Sequence, residues 1–147
     1  MIMTSPTFYV FHGSDDLTRQ EKIADLCQRL GPPETTDLNI ARLDGRKVTL
    51  DELRHACTSP PFLANRRLVL VTGLLSRLSK KGEPFLDSLI DLLPRLPETT
   101  RLVLIEEQTI ANSHPLLKLA QQHERGYVLV FEPPQQRELP NWISKRA

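Results

Sequence analysis

Short apolar runs alternate with amphipathic helical patterns along the chain, and this alternation restricts the fold more than any other feature of the sequence. Five runs have strand character, and the last three are continuously apolar rather than alternating with polar residues. Such continuous runs are typical of parallel strands that are covered on both faces. The five runs lie at residues 8–11, 38–43, 68–71, 102–105 and 127–131.

The segments between these runs have helical spacing. Apolar faces recur within residues 23–30, 50–57, 85–93 and 116–120, and Thr49 with Glu52 forms a capping box before the second of them. Strands that alternate with helices fold as βαβ units. We therefore predict an α/β domain of three layers, with a five-stranded parallel sheet between helices. Asn39 and Arg42 interrupt the second run, which favours an edge strand.

The length and charge of the chain exclude several classes of protein. A chain of 147 residues predicts one domain, and a net charge of +1 gives no electrostatic reason to bind nucleic acid. No apolar run approaches the roughly 20 residues of a membrane helix, and the amino terminus lacks a signal peptide pattern. These features predict a soluble, cytoplasmic protein with no membrane partner. We expect Cys27 and Cys57 to be small buried hydrophobes in a reducing compartment.

Two segments differ from this pattern. Residues 75–84 are mostly polar and are predicted to form a mobile loop. Near the end of the chain, Leu139, Trp142 and Ile143 begin an amphipathic helix that stops abruptly. An unfinished helix of this kind indicates that the chain is a fragment of a longer protein.

The turn after the first strand is the place where a nucleotide-binding α/β domain would hold phosphate. A phosphate loop needs glycines, whose backbone N–H groups can turn inward, and a lysine that offsets the phosphate charge. The turn here contains one glycine, two aspartates and no lysine: Gly13, Ser14, Asp15 and Asp16. Carboxylates repel a triphosphate but stabilise the start of a helix. We therefore predict a degenerate phosphate loop that binds no ATP, and no cofactor.

The sequence contains no other convincing catalytic or metal-binding pattern. Glu106 and Glu107 follow the fourth strand as Mg²⁺-binding acids would, but without a phosphate-loop lysine we interpret them as a solvated strand end. The histidines and cysteines lack metal-ligand spacing. Only His12, at the end of the first strand, is a candidate general base, and it has no visible orienting partner. We predict no catalytic residue and no metal site.

Several short motifs, in this order and spacing, resemble the N-terminal domain of the delta subunit of the bacterial DNA polymerase III clamp loader. They are FYVFHG at residues 8–13, LDG at 43–45, LDEL at 50–53, SPPFLANRRLV at 59–69 and RELPNWI at 137–143. The resemblance implies an AAA+ type core with strand order 5-1-4-3-2 over residues 1–137. It also implies that residues 138–147 start a helix leading to a lid domain that this chain lacks.

The resemblance also implies a function and partners. Delta subunits of this family hydrolyse no ATP; they bind the ring-shaped sliding clamp (the beta subunit) and help to open it for loading onto DNA during replication. The gamma/tau and delta-prime subunits are the other partners, and DNA is contacted through the full complex. That complex belongs to the DNA polymerase III holoenzyme, a DNA-directed DNA polymerase and nucleotidyltransferase. The alternative is a P-loop-type ATP-binding protein, or an ATPase-like clamp-loader paralogue with residual nucleotide binding.

In this family, two apolar side chains of the Pro-Pro-Phe-Leu segment insert into a pocket of the clamp. The matching residues are Phe62 and Leu63, which we call the apolar pair. The wider clamp-binding set also includes Pro61, Ala64, Asn65 and Arg66.

Judged from the residues alone, the apolar pair could instead cover the edge of the sheet. The nearby basic residues could form a solvated face, or could contact DNA phosphates or an acidic clamp surface. They are Arg66, Arg67, Arg77, Lys80 and Lys81.

Overall fold

The computed structural model describes residues 6–30, 36–78 and 83–133, which form a five-stranded sheet with helices on both faces. All pairings between neighbouring strands are parallel, and the order is β2-β3-β4-β1-β5. Read from the other edge, this is the order 5-1-4-3-2. The strands are β1 (Phe8–His12), β2 (Ile40–Asp44), β3 (Arg67–Thr72), β4 (Thr100–Glu106) and β5 (Gly126–Val130).

The helices begin close to the predicted signals. Thr49 caps the second helix: its side chain accepts a hydrogen bond from the Glu52 N–H at 3.1 Å, and the Glu52 carboxylate accepts one from the Thr49 N–H at 2.9 Å. Pro115 occupies the first turn of the last helix, as expected. The helices are α1 (Asp16–Gln28), α2 (Leu50–Thr58), α3 (Leu74–Arg77), α4 (Pro84–Leu92) and α5 (Pro115–Gln122).

Alternate residues of the central strands point to opposite faces of the sheet. In β4, Leu102 and Leu104 pack in the core beneath α2 to α5, whereas Val103 and Ile105 pack on the side of α1. β4 is buried on both faces of the sheet, as its continuous apolar run predicts. β3 shows the same pattern.

The two edge strands differ in how well the sequence predicted them. The edge position of β2 is confirmed, but the strand begins at Ile40, because Leu38 and Asn39 lie in a short 3₁₀ helix. In β5, Tyr127 and Val130 are 44% and 50% exposed, so the prediction of a strand covered on both faces is wrong there. A strand at the edge of the sheet has fewer neighbours to cover it.

The polar segment at residues 75–84 is not wholly a loop. Leu75 lies in α3, Leu78 follows it directly, and both side chains are buried in the core. The prediction of a mobile loop is therefore wrong for this part, because two leucines three positions apart reach the core while the polar residues between them face outward. Helix α4 then begins at Pro84, and residues 79–82 lie outside the described part of the chain.

The two cysteines have different environments. Cys57 is fully buried, and burial raises the pKa of its thiol to about 12 while nearby Arg67 lowers it. Cys27 is only partly buried, so the expectation for it holds in part. The predicted helix with Leu139 and Trp142, and the boundary after residue 137, lie outside the described residues. None of the helices that are described has both the length and the apolar character needed to cross a membrane.

Candidate functional site

The first loop, residues 13–15 between β1 and α1, uses two of its backbone donors within the protein. The N–H of Gly13 donates to the carbonyl of Gln108 at 3.2 Å, and the N–H of Asp15 donates to the carbonyl of Phe131 at 2.9 Å. The Asp15 carboxylate caps α1 by accepting from the Thr18 N–H at 3.2 Å. Asp15 therefore has the structural role predicted for it, and these N–H groups do not point into an open phosphate cradle.

A buried arginine closes the same loop. Arg19 is only 2% exposed; its guanidinium donates to the Gly13 carbonyl at 2.6 Å and pairs with Asp16. Ser14 is exposed beside them. A phosphate loop binds its ligand with backbone donors and a cation, whereas here the cation already binds the protein's own oxygen atoms. This geometry supports the prediction that the loop binds no ATP, which remains a prediction.

Glu106, at the end of β4, does not have the environment that we predicted. Its side chain is buried, and its two carboxylate oxygens accept hydrogen bonds from the Leu75 N–H at 2.8 Å and the Ser76 hydroxyl at 2.6 Å. The interpretation as a solvated strand end is therefore wrong for Glu106, because α3 folds back over the end of β4. It holds for Glu107, which is exposed.

His12, the candidate general base, is buried at the end of β1. Its Nδ1 accepts a hydrogen bond from the Ile110 N–H at 2.8 Å, and its buried Nε2 has no partner among the described residues. Burial lowers the pKa of His12 below its usual 6.5, and the Glu132 carboxylate raises it by a smaller amount. The neutral ring thus holds the loop that follows β4, and none of the described residues places a hydrogen-bonded nucleophile or carboxylate on it.

We expect the free energy of unfolding to fall as the pH is lowered below about 6.5, the ordinary histidine pKa. Because the pKa of His12 is lowered in the folded state, the unfolded chain takes up a proton first, and this favours unfolding. The slope from this one group cannot exceed about 1.4 kcal/mol per pH unit.

Urea unfolding followed between pH 7.5 and 5.5 measures this dependence. His12→Asn should flatten it, because the asparagine oxygen can accept the Ile110 N–H without titrating. His55→Gln, at an exposed position, should leave it unchanged. A His12→Asn chain with the full slope of the parent would show that another group is responsible.

An open cleft of about 900 Å³ lies at the carboxyl ends of β2, β3 and β4. Its charged lining is partly used within the protein: Arg46 pairs with Asp44 at 3.3 Å, and Arg77 donates to the Val48 carbonyl at 2.7 Å and lies over the Phe85 ring. Arg77 thus has structural contacts within the protein, and contact with DNA or the clamp stays a prediction for it. Across the described ranges, no three His, Cys, Asp or Glu side chains come together as metal ligands.

The apolar pair lies at the opposite end of the sheet from the first loop, because it precedes β3 whereas the first loop follows β1. Phe62 is 56% exposed and Leu63 is 76% exposed. The interpretation that they cover the sheet edge is therefore wrong. Leu63 has φ of 56°, a left-handed conformation that costs a non-glycine residue about 1–2 kcal/mol.

A buried side chain holds this exposed segment. Asn39 is 0% exposed; its Oδ1 accepts a hydrogen bond from the Phe62 N–H at 2.6 Å, and its Nδ2 donates to the Phe62 carbonyl at 2.7 Å. The backbone of Phe62 is therefore fixed while its ring remains in solvent. An exposed apolar side chain on a fixed backbone is suited to binding a partner.

The residues that flank the apolar pair are divided between packing and solvent. Pro61 and Ala64 are partly buried, whereas Asn65 and Arg66 are exposed. Burial lowers the pKa of Arg101, and the charge of Arg66 lowers it further, so these two positive charges interact.

The other basic residues have separate outcomes. The Arg67 Nε donates to the Ala56 carbonyl at 2.9 Å, which ties the start of β3 to α2. Lys80 and Lys81 are not among the described residues.

Sequence reasoning missed the roles of three residues that build these sites: Arg19, Asn39 and Glu106. Arg19 lies three positions after Asp16, a spacing at which helical side chains meet. Asn39 interrupts the second apolar run, and a polar residue there was a signal that it could be buried in a specific contact. Glu106 gave no such signal, because its partners lie about 30 positions away.

Comparisons with solved structures find the same fold elsewhere. The Bacillus subtilis DNA clamp loader delta protein superimposes with a TM-score of 0.73 at 20% identity, over 87% of this chain and 39% of that one. A DNA polymerase III gamma subunit-related protein from Thermotoga maritima superimposes with a TM-score of 0.57 at 14% identity, over 92% of this chain and 44% of that one. This chain therefore spans less than half the length of either protein.

Comparisons of sequence are more specific. A search of curated protein sequences found no match. The sequence profile of the family described as "DNA polymerase III, delta subunit", however, matches residues 9–129, which include the first loop, the apolar pair and all but the ends of the sheet. The match confirms the resemblance seen in the motifs, and the chain belongs to the DNA polymerase III delta subunit family.

Proposed function

We propose that this chain is the part of a clamp-loader delta subunit that binds the sliding clamp and helps to open the ring, without catalysis of its own. The observation that carries the proposal is the apolar pair: Phe62 and Leu63 project into solvent from a backbone fixed by Asn39. These are the positions at which the family's clamp contact is expected. An exposed apolar pair that is held in place has no role in the core and is suited to a pocket on a partner.

The energy of such a contact is sufficient to direct binding but not to supply all of it. Burying two apolar side chains contributes roughly 3–6 kcal/mol, whereas micromolar affinity requires about 8 kcal/mol. The polar and basic residues around the pair, Asn65 and Arg66 among them, would supply the remainder as a rim. A positive rim would be complementary to an acidic surface on the clamp.

The two ends of the sheet would then have different tasks in an AAA+ type core. The amino ends of the strands carry the apolar pair, and the carboxyl ends carry the first loop, closed by Arg19. Clamp binding by this chain would be independent of nucleotide in the first loop, and ATP hydrolysis would come from partner subunits. Within a cytoplasmic replication complex, any contact with DNA would be made through the full assembly.

Two calorimetric titrations test the proposal. We expect the chain to bind the sliding clamp of the same organism with an affinity in the micromolar range or tighter, and to give no heat with ATP and Mg²⁺. The reason for the second result is that the N–H groups of Gly13 and Asp15 and the guanidinium of Arg19 are already hydrogen-bonded within the protein. Micromolar binding of ATP together with no binding of the clamp would refute the proposal and favour the nucleotide-binding alternative.

A further inference from the structure

Asn39 makes an unusual contact for a residue at the start of an edge strand. It lies at the end of the 3₁₀ helix Asp37–Asn39, directly before β2, and its side chain is fully buried. Both of its polar atoms bind the backbone of one residue, Phe62, which lies 23 positions along the chain. The partner of this buried amide is thus the segment that carries the most exposed apolar residue among those described, Leu63 at 76%.

The chemistry of the contact explains why an amide is needed. An asparagine side chain offers a donor and an acceptor in one plane, so it can pair with the N–H and C=O of a single residue as a neighbouring strand would. Pro60 and Pro61 have no N–H to donate, so the Phe62 N–H is the first backbone donor available after Ser59. Asn39 accepts that donor at 2.6 Å.

The contact also bears on the conformation of Leu63. Left-handed backbone is unfavourable for leucine and persists where surrounding contacts over-determine it. Two hydrogen bonds on the preceding residue hold the chain as it enters this conformation. The directions of both side chains of the apolar pair therefore depend on Asn39.

We propose that Asn39 is a positioning residue for clamp binding, which holds the apolar pair in its binding conformation before the clamp arrives. The inference rests on the proposed function of the pair. A segment that is already ordered loses less conformational freedom on binding, so it binds more tightly than a mobile segment with the same side chains. Asn39 itself need not touch the clamp, because it is buried.

The test compares Asn39→Asp with Asn39→Ala, and uses Asn112→Ala, an exposed asparagine in another loop, as the control. At pH 8 the ionised carboxylate of Asn39→Asp can accept the Phe62 N–H but has no proton to donate to the Phe62 carbonyl. We expect clamp affinity to fall on the order of tenfold at pH 8 for both Asn39 variants.

Hydrogen exchange of the free chain provides the second measurement. The Phe62 amide should be protected in the parent chain and in Asn112→Ala, and should exchange faster in Asn39→Ala, which removes its acceptor. The amides of central strand β4 should stay protected in all of them. Loss of protection throughout the sheet would overturn the inference, because Asn39 would then support the whole fold rather than the apolar pair.

The outcomes also separate this inference from the function on which it rests. If alanine at both positions of the apolar pair leaves clamp affinity unchanged, the proposed function itself is wrong. If that variant loses affinity while both Asn39 variants keep the parent value, and the Phe62 amide is deprotected in Asn39→Ala, only the positioning role is overturned.

Discussion

Replacing Phe62 and Leu63 together by alanine is expected to weaken binding of the sliding clamp by about 100-fold to 10,000-fold. The factor follows from roughly 3–6 kcal/mol for burying two such side chains, with about 1.4 kcal/mol for each tenfold change in affinity. The fold should be little affected, because both side chains are mostly exposed in the free chain. We expect the thermal midpoint to change by no more than about 2 °C, as is usual for surface substitutions.

Leu17→Ala is the matched control for this experiment. Leu17 is 69% exposed, comparable to the apolar pair, but it lies in the first turn of α1 at the opposite end of the sheet. Clamp affinity should therefore stay within about twofold of the parent value, since exposed positions outside a contact contribute little. Two results would contradict the assignment: equal losses from Leu17→Ala and the double variant, or a double variant that unfolds several degrees earlier.

Gly13→Ala is expected to destabilise the chain by about 3–5 kcal/mol, which would lower the thermal midpoint by roughly 10–20 °C. Gly13 has φ of 130°, and a Cβ atom there would lie 2.1 Å from the Phe131 carbonyl oxygen. That neighbour is backbone, and it also accepts the hydrogen bond from the Asp15 N–H, so it cannot move without breaking the start of α1. Calorimetric or urea unfolding of the purified variant measures the loss.

Gly73→Ala separates the two causes of this destabilisation, which are the positive φ of the glycine and the steric clash of an added Cβ atom. Gly73 also has positive φ, 91°, but among the described residues an added Cβ would meet only the side chain of Arg46, at 3.2 Å. Its replacement should therefore cost about 1–2 kcal/mol, the conformational term alone. If Gly13→Ala costs no more than Gly73→Ala, the first loop has room to open, and the argument that it is closed against a phosphate group would fail.

The layout of the fold could be predicted from the sequence because its signals are local. Alternating strand and helix patterns gave the parallel sheet, and the capping box placed the start of α2 within a residue. Both depend on neighbours within about four positions along the chain. The same holds for Asp15, whose capping role requires only the N–H of Thr18.

Predictions failed where a residue's environment is made by a distant part of the chain. The sequence around Glu106 predicts a solvated acid, because no neighbouring residue shows that α3 folds over the end of β4. The apolar run of β5 predicts a strand covered on both faces. An edge strand can have the same residue composition as a central strand and differ from it only in the number of adjacent strands.

The sequence by itself determined the α/β architecture of this protein, the family to which it belongs and the residues that replace a phosphate loop. Only the tertiary structure decided which side chains are exposed to solvent and which are fixed by hydrogen bonds from distant residues. From the residues alone, Phe62 and Leu63 could lie in the core or at the surface; in the structure both are exposed, and the amide of Asn39, 23 positions earlier, binds the Phe62 backbone. The physical reason is that the burial of a side chain depends on which segments of the chain contact each other in the fold. The residue types along the sequence do not specify these long-range contacts.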